Sequence, residues 1–432
     1  KDRPTAAPAA SPASTTAGQM GAQTAVLTEA HSTRQPALSR LIGISVEQFA
    51  SEHWGRSAVL TPASNLTQGF TDLLDEQAVD ELISERGLRT PFLRVARNGA
   101  TLADHLFTAP GGVGATIGDQ VSDDKLARLF ADGATMVLQA LHRVWPPVLE
   151  FCQRLAADLG HPVQANAYVT PPQNQGFSDH YDVHDVFVLQ ISGQKRWVIH
   201  EPVHPSPLRH QPWTGRRSAV ERRAGETAVI DTVLSPGDCL YLPRGYLHAA
   251  TALGGVSTHL TLGVHSWTRY GLADHVLQRA LKVAAEDVEV RASLPLGVDV
   301  SQPSELSDDL TVVQERLIEA IRTIEVADLA AVLGSGARSN QRAAPIGPLR
   351  QLRSAEELAE HTVLRVRPYL AATVAERSDE GLAVSSRAGE LDIDPSDVER
   401  FRPWWETGEA AVADLGVPLA RALLLSGLAV AE

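Results

Sequence analysis

Between Val163 and His265 the chain reads as a succession of short strands with no helical stretch between them. Gln164, Asn166 and Tyr168 alternate with Ala165, Ala167 and Val169 until Pro171-Pro172 ends the run. Residues 180–191 and 195–200 read as two further strands, joined by a hairpin at Ser192-Gly193-Gln194. A polar stretch, 202–226, carrying Pro, Arg and Gly, reads as a long loop. Strand-like runs then return at 227–234, 239–242, 247–252 and 257–265. Strands at this spacing predict an antiparallel sandwich or barrel.

Helical patterns flank this block, so the fold class is α+β. One begins near Ile44, with Phe49 and Trp54 as anchors, and another covers 77–86. A third spans 123–159, with apolar residues from Leu126 to Phe151 at helical spacing and a break or kink expected at Pro146-Pro147. After Trp267 two amphipathic stripes follow, Leu272 to Ala284 and Leu310 to Ile324. Neither has a partner within its own segment. They pack on the barrel or the next domain, or they form a homodimer interface. Residues 335–349 read as a linker, and the last piece resembles a small winged-helix domain containing Trp404 and Trp405. Residues 1–35, rich in Ala, Pro, Ser and Thr, carry too little apolar surface to offset ordering entropy and read as a disordered tail. The expected divisions are therefore 1–35, a core at 36–270, a helical region at 271–338 and a C-terminal domain at 339–432.

Bulk properties narrow the function classes. The net charge of -14 disfavours direct nucleic-acid binding and permits a basic protein partner. Two cysteines, Cys152 and Cys239, do not make a disulfide framework, so a reducing cytoplasm is the expected location. No apolar run is long enough for a membrane span, and no signal peptide is expected.

The chemistry resides in His180-Tyr181-Asp182 and in His248, which follows the turn Pro243-Arg244-Gly245. On a strand, residues two apart share a face about 6.6 Å apart, so His180 and Asp182 can converge on one ion. His184 would lie roughly 13 Å from His180, so the third ligand must come from another strand. The turn returns the chain sharply, which makes His248 the candidate. Two imidazoles and one carboxylate are the donor set of a non-haem Fe(II) site with positions left for O2 and a co-substrate. A dianionic 2-oxo acid as co-substrate would then need a cation for its distal carboxylate. Lys195 suits that role, and a solvated hairpin-end lysine suits the same pattern. Arg196 should face the other way. His259 and His265 alternate along a strand and read as core or pocket-lining residues.

At these residues the chain resembles the bacterial JmjC-domain, cupin-type oxygenases grouped with the ribosomal oxygenases. The resemblance rests on Asn166-Ala167-Tyr168-Val169-Thr170-Pro171-Pro172, on Gly176-Phe177, on His180-Tyr181-Asp182 and His184 to Gln190, and on Gly193 with Lys195-Arg196-Trp197. A second part runs from Pro236-Gly237-Asp238 through Tyr241 to Gly245 and on to His248. It implies a double-stranded β-helix core, Fe(II), 2-oxoglutarate and O2, and hydroxylation of a protein side chain. His180, Asp182 and His248 would be the metal ligands and Lys195 the co-substrate cation. Asn166, with Tyr168, would line that pocket, and the helices after residue 270 would be the dimerisation region. Bacterial members that hydroxylate a ribosomal-protein arginine carry Arg at the Lys195 position, whereas Lys is typical of the eukaryotic histidine hydroxylases. The target residue is left open. Two other readings stand beside a protein hydroxylase: a hydroxylase of a free amino acid or small peptide, and a non-catalytic cupin-like sensor of metal and ligand.

Overall fold

The computed structural model describes residues 36–432 apart from 98, 173 and 175–177. The expected tail at 1–35 lies outside the described residues, as does Gly176-Phe177. The described chain forms two compact units that divide after Ala344.

The first unit is built on a nine-stranded antiparallel sheet. Its strands are β1 (Val59–Thr61), β2 (Leu93–Arg97), β3 (Thr135–Leu138), β4 (Val163–Thr170), β5 (Asp185–His200), β6 (Ile230–Leu234), β7 (Cys239–Leu242) and β8 (Leu247–Val264), with a short edge strand at Ala100–Thr101. The spatial order is β1-β7-β5-β8-β4-β3-β2, and β6 pairs with β5. One face is covered by a large apolar cluster to which Phe187, Leu189, Tyr241, Leu260 and Leu262 contribute. Their neighbours along the same strands, Val186, Val188, Leu240 and Leu242, pack with Trp197 and Ile199 in a separate cluster. This is the period-two alternation expected of strands with two different faces.

No hairpin forms at Ser192-Gly193-Gln194. β5 runs without interruption from Asp185 to His200 and pairs along its length with β8. Leu247 to Leu253 oppose His200 to Gln194, and Thr258 to Val264 oppose Ser192 to Asp185. The register shifts between these halves. Gly193 lies at the shift with φ +63°, and a Cβ there would run into the Val256 carbonyl oxygen. The buried Gln190 amide supports the bulge, donating to Ser192 O at 2.9 Å and to Ser257 Oγ at 2.9 Å. A bulge of this kind changes which side chains face which way. Cavity-facing residues are even-numbered before it on β5 (Val186, Val188) and odd-numbered after it (Lys195, Trp197). On β8 they are likewise His248 and Ala250, then His259 and Thr261.

The helices depart from expectation in three places. α1 (Glu76–Ser84) starts at Asp75, whose carboxylate accepts from Ala78 N. The expected 123–159 helix is split into α2 (Asp123–Ala131), strand β3 and α3 (Pro146–Leu159). Gly133, at φ +90°, turns the chain out of α2. Thr135 to Leu138 then pair with β2 and β4, so sheet burial overrides helical spacing. Pro146-Pro147 opens α3, where missing N–H groups cost nothing. Within the expected 202–226 loop, α4 (Arg217–Ala224) forms. The third departure is at the expected 335–349 linker, where α7 (Val326–Asn340) continues to Asn340.

α7 follows α5 (Arg269–Ala284) and α6 (Pro303–Arg322). α5 and α6 meet through Ala280, Ala284 and Ala320, small residues that allow close approach. Leu272, Leu277 and Leu281 on α5 and Leu310 and Ile318 on α6 remain exposed. No helix among the described residues is long and apolar enough to cross a membrane.

The second unit begins with α8 (Pro348–Glu356). Its strands are β9 (Val363–Val366), β10 (Thr373–Glu376), β11 (Leu382–Ser386), β12 (Gly389–Ile393), β13 (Glu409–Ala411) and β14 (Ala429–Ala431). They form two three-stranded sheets, β13-β9-β14 and β10-β11-β12. α9 (Val398–Thr407) buries Trp404, whose indole donates to Leu364 O at 2.9 Å. α10 (Val417–Leu425) buries Leu419, Leu423 and Leu424.

Gly193→Ala should destabilise the first unit by about 3 kcal/mol or more, because the clash is with backbone and the φ is unfavourable for alanine. Urea denaturation followed by tryptophan fluorescence measures this. A loss below about 1 kcal/mol would show that the bulge tolerates a side chain.

Candidate metal centre

His180 and Asp182 do not lie on a strand as expected, since β5 starts at Asp185. They are held by the turn before β8. His180 forms an isolated antiparallel bridge with His248: His248 N donates to His180 O at 2.8 Å and His180 N to His248 O at 3.3 Å. Gly245 N donates to Asp182 O at 3.0 Å, pinning the second residue to the same turn. The turn in turn is fixed by the buried Asp185 carboxylate, which accepts from Arg244 N at 2.7 Å and Ser266 Oγ at 2.8 Å.

This backbone scaffold brings three donors together. His180, Asp182 and His248 each offer one ligand atom, all within 4.8 Å of one another. His248 Nε2 is 3.8 Å from Asp182 Oδ2, and the two imidazole centroids are 4.4 Å apart. Nδ1 of His180 lies 2.7 Å from Ser178 O, and Nδ1 of His248 lies 3.1 Å from Tyr246 O. A carbonyl can only accept, so each Nδ1 carries the proton and each Nε2 presents its lone pair. Histidines that ligate metals are commonly oriented in this way. Desolvation, and then the neighbouring His180, pulls His248 down to about 4, which favours the neutral form a metal needs. Desolvation works to raise the Asp182 carboxyl, but His184, His248, His180 and Arg94 together hold it below its usual value. The donor set fits a divalent cation with coordination positions left for other ligands.

His184 is not part of the set. Its ring stacks on His265 with centroids 5.2 Å apart and approaches Gln164. The expected exclusion holds, although its stated reason, position along a strand, does not apply.

The donors line a cavity of about 350 Å³ shared with Arg94, Thr135, Tyr168, Lys195, Trp197 and His259. Lys195 is buried there, with 3% of its surface exposed. Its Nζ donates to Thr170 Oγ1 at 3.1 Å and lies 3.4 Å from His259 Nδ1. Burial pulls its pKa down to about 7. A buried amine held by a hydroxyl and a ring nitrogen is well placed to receive an anionic group. Arg196 faces outward, as expected, and pairs with Asp231.

Tyr168 lines the cavity and stacks face to face on His259, with centroids 4.8 Å apart. Asn166 is on the same face of β4 but not among the lining residues, because its Oδ1 accepts from Ala140 N at 3.0 Å. Three wall residues escaped the sequence reading. Arg94 interrupts an apolar strand, which was a usable signal; it hydrogen-bonds Tyr168. Thr135 was hidden by the helical reading of 123–159. Trp213 projects from the segment between β5 and β6, and the Arg217 guanidinium lies 5.1 Å from its ring centroid.

Residues 145–272 match the JmjC domain family. The chain is 38% identical over 170 residues to Ribosomal oxygenase 1 of Rattus norvegicus, covering 39% of this chain and 28% of that protein. It is 30% identical over 263 residues to the Drosophila mojavensis bifunctional lysine-specific demethylase and histidyl-hydroxylase NO66, covering 59% of this chain and 28% of that one. The chain thus spans under a third of the length of these two relatives. Among solved structures, the Escherichia coli ribosomal oxygenase YcfD in complex with cobalt and 2-oxoglutarate matches over 90% of this chain and 98% of that chain. Its TM-score is 0.52 and its identity 19%, a likeness of fold. Residues 145–272 thus resemble the JmjC domain family on a cupin-type fold, and the chain's relatives by sequence bear the names ribosomal oxygenase and NO66.

Proposed function

We propose that the protein is an Fe(II)- and 2-oxoglutarate-dependent oxygenase that hydroxylates a protein side chain. One observation carries this reading: a His-Asp-His donor set and a buried lysine amine line the same cavity. Iron bound there, with 2-oxoglutarate, supplies the oxidising power for C–H hydroxylation. The protein's part is to bind and orient. His180 and Asp182 hold the metal from one side of the bridge and His248 from the other. Lys195 and Thr170 receive the distal carboxylate. Asp182, Lys195 and a divalent ion sum to a charge that a dianion neutralises, so the loaded cavity is less costly to bury than the empty one. Trp213 and Arg94 form walls where a substrate side chain enters.

The substrate we propose is a ribosomal protein. The relatives' names support this, and a basic substrate is compatible with the chain's charge of -14. Helices α5 to α7 are proposed to form a homodimer interface, on the strength of their exposed leucines. Residues 345–432 are proposed to be a winged-helix-like module, and the cytoplasm is the proposed location.

Purified protein with Fe(II), ascorbate and 2-oxoglutarate should release succinate slowly, and faster with the ribosomal-protein fraction of a cell extract. His180→Ala and Asp182→Ala should each abolish release while circular dichroism stays unchanged. Full activity in either variant would remove the metal assignment, and intact Co(II) binding without any turnover in the wild type would favour a sensor. Lys195→Ala should raise the 2-oxoglutarate KM at least tenfold, the scale of a lost hydrogen bond to a charged group of about 1.5–3 kcal/mol. An unchanged KM would place the co-substrate elsewhere. Light scattering should give a dimer at micromolar concentration, converted to monomer by Leu277→Glu with Leu281→Glu. A monomeric wild type would reject the interface.

A further inference from the structure

We propose that His259 is a positioning residue for the dicarboxylate co-substrate, holding Lys195 in a site that takes up a proton from solvent as the distal carboxylate enters. The inference deepens the reading above and rests on it.

The geometry begins with what surrounds the Lys195 side chain. Its Nζ meets Thr170 Oγ1 from β4 and His259 Nδ1 from β8. Among the described residues no carboxylate forms an ion pair with it. The other titratable groups facing the cavity are Tyr168 on β4, Arg94 on β2, His248 on β8, and His180 and Asp182 ahead of β5. The only acid among these, Asp182, belongs to the metal set.

His259 is fixed in orientation. One face stacks on Tyr168 with an interplanar angle of 1°, and Trp197 meets it edge-on at 5.4 Å. The ring cannot swing away from Lys195 without breaking both contacts. Its Nδ1 is 3.4 Å from an amine, so a proton on the imidazole and a proton on the ammonium would oppose each other. Burial first, and then Lys195, keeps the imidazole well below its ordinary pKa. His259 therefore serves as a neutral acceptor that aims the amine at the cavity.

No carboxylate among the described residues stabilises a charged Lys195. An entering carboxylate does so, and the amine lone pair takes a proton from the buffer to become the ammonium. Nothing is oxidised, and the gained proton appears as an uptake coupled to binding. The sign follows from the lowered lysine. Below its empty-site pKa the ammonium is already formed and uptake vanishes; above it, uptake approaches one.

Isothermal titration calorimetry tests this without turnover. The full chain, loaded anaerobically with Mn(II), is titrated with 2-oxoglutarate in buffers of different ionisation enthalpy. We expect uptake that is smallest at pH 6 and rises toward one proton as the pH is raised to 8 and above. Lys195→Arg should bind with no such uptake, because guanidinium stays charged. His259→Phe should weaken 2-oxoglutarate about tenfold with Mn(II) affinity unchanged, and His259→Gln, which restores an acceptor, should recover most of the loss. Binding without proton uptake at pH 8, or equal uptake in Lys195→Arg, overturns the proton-linked site. Wild-type affinity in His259→Phe overturns the positioning role. No heat of binding in the wild type at any pH would instead strike the co-substrate reading itself, and this inference with it.

Discussion

The pairing of β5 with β8 is the constraint on which the first unit depends. These two strands carry β6, β7 and β4 as neighbours, so an error in their register would propagate to most of the sheet. Their shared irregularity at Gly193 lets one continuous ladder present even-numbered residues inward at one end and odd-numbered ones at the other. Without it, Val186 and Arg196, rather than Val186 and Lys195, would share a face. The position of the buried cation is therefore a property of the backbone as much as of the lysine. Gln190, bonded to both sides of the bulge, stabilises that offset from within.

The metal donors are placed by a different principle. They sit beyond the regular ladder, and main-chain hydrogen bonds from the Gly245–His248 turn hold them. Asp185 secures that turn with a buried carboxylate, satisfied by a backbone amide, a hydroxyl and the nearby Arg244 guanidinium. Charge buried this deeply is tolerable because each oxygen has a partner. His180 and Asp182 are thus held off the strand by main-chain bonds, which leaves the His180 Nε2 and the Asp182 carboxylate facing the cavity.

Much of this was legible in the chain. The density of short strands gave the antiparallel core, and His180, Asp182 and His248 were identified from residue type and turn chemistry. The reasons were less legible. A strand of sixteen residues with a glycine at its centre looks like two strands and a hairpin, because Ser-Gly-Gln serves either purpose. Only the partner strand decides, and its pairing is a long-range fact. Thr135 to Leu138 illustrate the same limit: apolar residues at helical spacing became a strand because β2 and β4 left a gap in the sheet. Asn166 had the right face and the wrong partner, since a neighbouring amide, Ala140 N, engages it. Periodicity reports a face; it does not report what else competes for the side chain.

Trp213 ties the cavity wall to the donors. It stands on the segment joining β5 to β6, which lies against the donors and their turn: its ring centroid is 6.4 Å from that of His180, the Tyr181 hydroxyl donates to Gln211 O at 3.0 Å, and a Cβ at Gly245 would meet His204 O. Wall and donors therefore share one set of contacts, in which Trp213 and Val220 pack with Tyr181 and Leu247. A substitution within 202–226 that reshapes the wall also presses on Tyr181, which lies between the donors His180 and Asp182. The entrance and the donor turn behave as one packed body.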